Sequence, residues 1–144
     1  MPSSWWRYRD TLQSRVACVI LCCKNSLRGR PVITYNCTIQ EGVISEETRS
    51  ILDERLVQIG SRVLGVAPDD ISVNYEVIPH GFGFRGGELS TSSSVRSRIP
   101  DGFSQEKRVE FMQAVQDMWI EVTGQTTAEL VVGAADASYS IHRD

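Results

Sequence analysis

The sequence predicts an α/β (α+β) domain in which two tandem β-α-β units form a four-stranded mixed sheet with two helices on one face. Three observations carry that expectation. First, one unit occurs twice, 59 positions apart and without a gap: Ile44-Ser45-Glu46-Glu47-Thr48-Arg49 aligns with Phe103-Ser104-Gln105-Glu106-Lys107-Arg108, Leu52 with Phe111, Leu56 with Val115 and Gly65 with Gly124. Second, each copy reads as strand, capped helix, glycine stop and strand. Third, a helix of about twenty residues between two strands calls for a right-handed parallel crossover. If the other sheet face carries apolar alternate residues it needs covering, so oligomerisation is expected.

The elements follow in order. Pro31-Val32-Ile33-Thr34-Tyr35-Asn36-Cys37-Thr38-Ile39 is rich in β-branched residues and bounded by Glu41-Gly42, so it reads as the first strand. A proline is tolerated at a strand's first residue, where its missing N–H breaks no interior ladder bond. Ser45 is a good N-cap, and Glu46 and Glu47 put negative charge where the helix dipole favours it. Leu52, Leu56, Ile59 and Val63 recur at helical spacing, and Gly65 supplies the stop. Ile71 to Ile78 forms the second strand. The glycine-rich connection His80–Gly87 leads to a third strand read as Glu88 to Ile99. Pro100-Asp101-Gly102 turns the chain into a helix capped by Ser104, with Phe111, Met112, Val115, Trp119 and Val122 inward. Glu129 to Ala135 makes the last strand.

The chain divides at about residue 30. Residues 1–30 hold six basic residues and one acid, a net of +5, whereas residues 31–144 hold nine basic and seventeen acidic residues, a net of −8. The leader reads either as a disordered or loosely helical tail or as a segment cleaved or wrongly included. Residues 31–144 read as one domain, with repeat 1 at about 31–79 and repeat 2 at about 88–137. An acidic body without a basic stripe argues against nucleic acid as a partner. No apolar run approaches the ~20 residues of a membrane span. Cys18, Cys22 and Cys23 fall in the leader and Cys37 in a strand, which matches neither a disulfide framework nor a zinc site. The expected setting is reducing: the cytoplasm, or the mitochondrion if residues 1–30 are a transit peptide. No cofactor or metal is called for.

Pro31-Val32-Ile33-Thr34 opening a strand, Glu41-Gly42 ahead of a capped helix, and Gly81-Phe82-Gly83-Phe84-Arg85-Gly86-Gly87-Glu88-Leu89 together resemble the tautomerase superfamily. The last segment is similar to the hairpin and Gly-Gly-Glu-Leu that close the short 4-oxalocrotonate tautomerases. The doubling resembles fused members: macrophage migration inhibitory factor, malonate semialdehyde decarboxylase and cis-3-chloroacrylic acid dehalogenase. The resemblance spans residue 31 to about 137. It implies a homotrimer acting without cofactor on a small carboxylated keto–enol substrate, with an N-terminal proline as general base.

The chemistry of such a base is plain. An α-amine has a pKa of about 8, and burial or nearby arginines lower it further. Neutral near pH 7, it can take a proton α to a carbonyl. Pro31 has this capacity only as an N-terminus, because an internal proline nitrogen is an amide. Arg30 precedes it, so exposure needs proteolysis or a different start; otherwise the proline merely begins a strand. Pro2 is exposed by ordinary Met removal, yet Ser3-Ser4-Trp5-Trp6 is no strand.

Arg98 and Arg96 are the next candidates, two apart in a strand and therefore on one face. The 59-residue repeat matches them to Ile39 and Cys37, on the face of Pro31. With the first and third strands antiparallel, the end of the third lies near the start of the first. Arg98 there is the candidate to grip a substrate carboxylate and stabilise enolate charge, with Arg96 assisting. The plain alternative is a solvated pair of edge charges. Arg85 and Phe82 are further substrate-binding candidates, as loop cation and apolar wall. His80 and His142 read as incidental. Gly81-x-Gly83-x-x-Gly86 matches a dinucleotide fingerprint in letters only, since it leads into a strand. Gly60 and Gly133 stand where the dehalogenase has a histidine and a tyrosine, which counts against that chemistry. The alternatives are a catalytically silent trimer with a binding or structural role, or a decarboxylase- or dehalogenase-like relative.

Overall fold

The computed structural model describes residues 31–139; the leader, with Pro2, Arg30 and three of the cysteines, and His142 lie outside the described residues. The strands are β1 (Ile33–Gln40), β2 (Ile71–Ile78), β3 (Phe84–Arg85), β4 (Glu88–Leu89), β5 (Ser93–Ile99) and β6 (Leu130–Asp136). Helix α1 (Glu46–Leu64) follows β1, and α2 (Gln105–Thr123) follows β5. The main sheet has the order β2-β1-β5-β6, parallel within each repeat and antiparallel across the central β1–β5 pair. This is the mixed four-stranded α+β architecture expected.

Both helices begin and end as their sequences dictate. The Ser45 hydroxyl accepts from Thr48 N at 3.2 Å, and the Ser104 hydroxyl from Lys107 N at 3.2 Å. Gly65 and Gly124 end the helices at φ 68° and 76°, a left-handed backbone that only glycine adopts without strain. The helices bury Leu52, Leu56, Ile59, Phe111, Val115 and Trp119 against Ile33, Tyr35, Cys37, Ile39, Val95 and Ile99 of the sheet. Met112 and Val122 are only partly buried, and Met118 takes a place in the core instead. Each large apolar side chain fully buried here contributes roughly 1.5–3 kcal/mol. Tyr35 and Phe111 stack with ring centroids 6.0 Å apart, and the Tyr35 hydroxyl donates to Leu56 O at 2.9 Å.

Gly60 lets α1 lie close on the sheet. A Cβ there would stand 2.8 Å from Ile71 Cδ1 and 3.2 Å from Ile33 Cδ1, so any side chain at this position requires those side-chain ends to move.

Three expectations need correction. The first strand begins at Ile33, not Pro31: Pro31 is exposed and outside the ladder, and the ladder is extended only by Val32 N donating to Asp70 O at 2.7 Å. The strand read as Glu88–Ile99 is two elements. Glu88–Leu89 pairs with Phe84–Arg85 in a small hairpin, and the serine-rich stretch breaks before Ser93. The open sheet face is polar in its central strands, where Thr34, Asn36, Thr38, Ser94, Arg96 and Arg98 alternate with the core positions. The apolar open face that would have called for a partner is therefore absent from β1 and β5. Among the described residues, the three most exposed large apolar side chains, Phe82, Phe84 and Leu89, lie on the hairpin and the loop before it.

A buried glutamine fixes that hairpin. Gln40, 1% exposed at the end of β1, donates its side-chain amide to Ser90 O and accepts from Gly81 N at 3.1 Å. Its two polar ends hold both arms of the connection between the repeats.

Candidate functional site

The antiparallel register between β1 and β5 sets Thr34 opposite Arg98 and Asn36 opposite Arg96. Arg98 thus lies at the sheet end where the chain enters β1, whose first residue, Ile33, comes two positions after the exposed Pro31. Directly paired residues share a face, so both arginines stand on the open face with Thr34 and Asn36. This corrects the face assigned from the repeat: Cys37 and Ile39 are 1% exposed and point into the core. The reason is a one-residue difference between copies. Ile33 pairs with Ile71, 38 positions on, whereas Ser93 pairs with Leu130, 37 positions on. A one-residue offset moves every side chain of a strand to the other face.

On the open face a concavity of about 580 Å³ is lined by Asn36, Asn74, Glu76, Arg96, Arg98 and Tyr139, among others. Gly133, paired with Arg96, leaves open space above the β6 edge of this hollow. Asn74 Nδ2 stands 3.4 Å from Asn36 Oδ1. The Arg96 side chain is exposed and makes no hydrogen bond or ion pair among the described residues. Arg98 Nη1 donates to Ala137 O at 3.3 Å and to Tyr139 O at 2.8 Å. That chain segment is itself tied down. Ala137 N donates to Ile99 O at 2.8 Å, Tyr139 N to Asp136 O at 3.0 Å, and Ser138 N to Asp101 Oδ1 at 3.1 Å. Hydrogen bonds from Ser138, side chain first and then backbone, hold the Asp101 carboxyl below its ordinary range.

Arg85 and Phe82 are not brought to this end within the chain. Their connection is latched to Gln40, the last residue of an eight-residue strand, so about 23 Å of β1 separates it from Ile33. Arg85 Nη1 donates to Ala128 O, and Phe82 is 74% exposed. His80 is exposed in the loop. The glycine-rich run leads into a strand, as read from the sequence, and not into a helix. Among the described residues no cluster of His, Cys, Asp or Glu could hold a metal ion, and no helix is long and apolar enough to cross a membrane.

The sequence reading missed three features here. The Ala137–Tyr139 segment carried no periodic signal, and Asp101 was read only as a turn residue. Arg108 was visible in the repeat as the counterpart of Arg49, but its ion pair with Asp136 (2.6 Å), beside a bond from Nη1 to Ala134 O (3.3 Å), depends on tertiary contact. Cys37, the buried thiol, has its pKa pushed up to about 12 by burial and then by the Asp53 carboxylate.

No protein-family model matches the chain, and no curated protein does. Solved structures match closely in fold. Native Ps01740 is 28% identical over 76% of this chain and 99% of its own, with a TM-score of 0.70. Pt0534, in a form inactivated by 2-oxo-3-pentynoate, is 21% identical over 76% of this chain and 92% of its own, with a TM-score of 0.67. A fused 4-OT solved as a symmetric trimer is 13% identical over the same shares, also with a TM-score of 0.67. The chain has the tautomerase-superfamily fold.

Proposed function

We propose that the domain is a cofactor-independent tautomerase acting on a small carboxylated keto–enol compound, with Pro31 as general base once it is the N-terminus. Arg98 is the carboxylate binder and stabiliser of developing enolate charge, and Arg96 is a second binder. The observation that carries this reading is the Thr34–Arg98 pairing, which sets a guanidinium at the sheet end that Pro31 opens. A free secondary amine there has a pKa of about 8 or lower and can abstract a proton near neutral pH. Arg85 and Phe82, at the far end of β1, reach such a site only from a second copy, so their part depends on assembly. The trimeric relative supports an oligomer of three. Gly60 and Gly133 bring neither the histidine nor the tyrosine weighed for dehalogenation, so tautomerisation is preferred.

A second reading rests on Arg30. With Arg30 joined to it, the Pro31 nitrogen is a tertiary amide without basicity, which favours a silent trimer with a binding or structural role.

One experiment separates the two. A chain beginning at Pro31 and the full-length chain are compared for ketonisation of phenylenolpyruvate and for labelling by 2-oxo-3-pentynoate. The amine of Pro31 should add across the alkyne and gain the whole reagent's mass, with the adduct mapping to Pro31. Equal rates in both chains, or an unchanged rate on Pro31→Ala in the short one, would sink the proline mechanism.

A further inference from the structure

Arg98 uses only part of its hydrogen-bonding capacity in the fold. Both bonds leave Nη1, one to Ala137 O and one to Tyr139 O, which accounts for both N–H groups on that nitrogen. Among the described residues, Nε and Nη2 carry no partner. These two nitrogens form one edge of the planar fork, which matches the two oxygens of a carboxylate. A long side chain on an exposed strand position would otherwise sample many rotamers, and ordering it on ligand binding costs affinity. Here a short segment of main chain holds it in advance, and Tyr139 of that segment lines the same concavity as Arg98.

We infer that Ala137–Tyr139 is a positioning strap, caught by Asp101, that orients Arg98 so its free Nε/Nη2 edge receives a carboxylate in the open-face concavity. Asp101 is then a positioning residue: its carboxylate fixes Ser138 N, which fixes the two carbonyls that hold Nη1. The inference rests on the reading of Arg98 as the carboxylate binder. It needs no free N-terminal proline, so binding rather than turnover tests it.

The test is calorimetric titration of the full-length chain with phenylpyruvate and, as a neutral control, its methyl ester. Asp101 is exposed, so its replacement does not threaten the core. Asp101→Ala should weaken phenylpyruvate binding about five- to tenfold, the scale of one hydrogen-bonded support removed. Asp101→Asn keeps an oxygen that accepts from Ser138 N and should stay within about twofold. Binding of the ester should not change in either variant. Arg98→Ala should weaken phenylpyruvate about ten- to a hundredfold, and adding Asp101→Ala to it should do nothing more, because the strap acts only through that side chain.

The inference is overturned if Asp101→Ala binds phenylpyruvate like the unaltered chain or more tightly, if acid and ester weaken together, or if the two replacements add. If Arg98→Ala weakens binding while Asp101→Ala does not, the strap alone falls. If Arg98→Ala changes nothing, or the unaltered chain binds no phenylpyruvate, the reading of Arg98 falls and the strap with it.

Discussion

Arg98, Cys37 and Gly60 show how far single residues decide behaviour here. Loss of a charge-assisted bidentate contact is worth roughly 1.5–3 kcal/mol, so Arg98→Ala in a chain beginning at Pro31 should lower kcat/KM about ten- to a hundredfold. Arg98→Lys should recover only part, because ammonium keeps the charge and loses the fork. Arg85→Ala should have little effect by comparison; the reverse order in steady-state kinetics would move the anion site to the hairpin. Cys37 makes a prediction about pH. Its folded pKa is raised from 9.0 to about 12, so between those values the unfolded chain gives up the proton and the native chain keeps it. Stability from this group is intact below pH 9 and declines as pH rises through that window. With Cys18, Cys22 and Cys23 replaced by serine, a thiol reagent at pH 8 should therefore react only at the unfolding rate, and fast stoichiometric labelling would contradict the burial. Gly60→Leu should destabilise by about 2–3 kcal/mol in urea, since the added carbons meet the Ile71 and Ile33 side chains.

At the scale of elements, the helices were legible and the strand faces were not. Helix signals are local: a cap, a 3.6-residue stripe and a glycine stop fall within one segment, and Ser45, Leu52, Leu56 and Gly65 all take their expected places. Ser45→Ala and Ser104→Ala should each cost about 1 kcal/mol by thermal or urea unfolding, the usual value of a hydroxyl cap. Strand facing depends on counting across a loop, and the repeat hid a one-residue change between Ile99 and α2 that reversed the reading for Arg96 and Arg98. The carboxylate candidates themselves were visible, because two arginines in a serine-rich strand stand out. Gln40 was not: an amide ending an apolar strand resembles a solvent-facing residue until the loop closes over it. Gln40→Ala leaves the Ser90 carbonyl and the Gly81 amide without their partner, a loss of roughly 1–3 kcal/mol if they stay buried. Hydrogen exchange at Gly81 should quicken in that variant while exchange in α2 stays slow, and uniform quickening would mean that the latch supports the whole sheet.

For the whole molecule, the helices cover one sheet face and leave the other polar, so hydrophobic demand from the central strands does not by itself dictate assembly. Three copies are the state proposed above, and the exposed Phe82, Phe84 and Leu89 of the hairpin are the apolar surface such an assembly would cover. Sedimentation at micromolar concentration should give three times the chain mass, and Phe84→Asp together with Leu89→Asp should shift the equilibrium toward monomer. A persistent monomer in the unaltered chain would count against the proposed assembly.

The one-residue difference between the copies also bears on how many ligands each chain can hold. A rotation that superposes the repeats about the paired Asn36 and Arg96 carries Thr38 onto Arg98 and Thr34 onto Ser94. One end of the sheet receives a guanidinium and the other a hydroxyl in the same role. The duplicated architecture offers two geometrically similar ends, but at the matched open-face position one carries the Arg98 guanidinium and the other the Thr38 hydroxyl. Titration should therefore saturate at one carboxylate per chain, giving three rather than six in an assembly of three. A second equivalent of similar affinity would mean that the two ends are chemically alike after all.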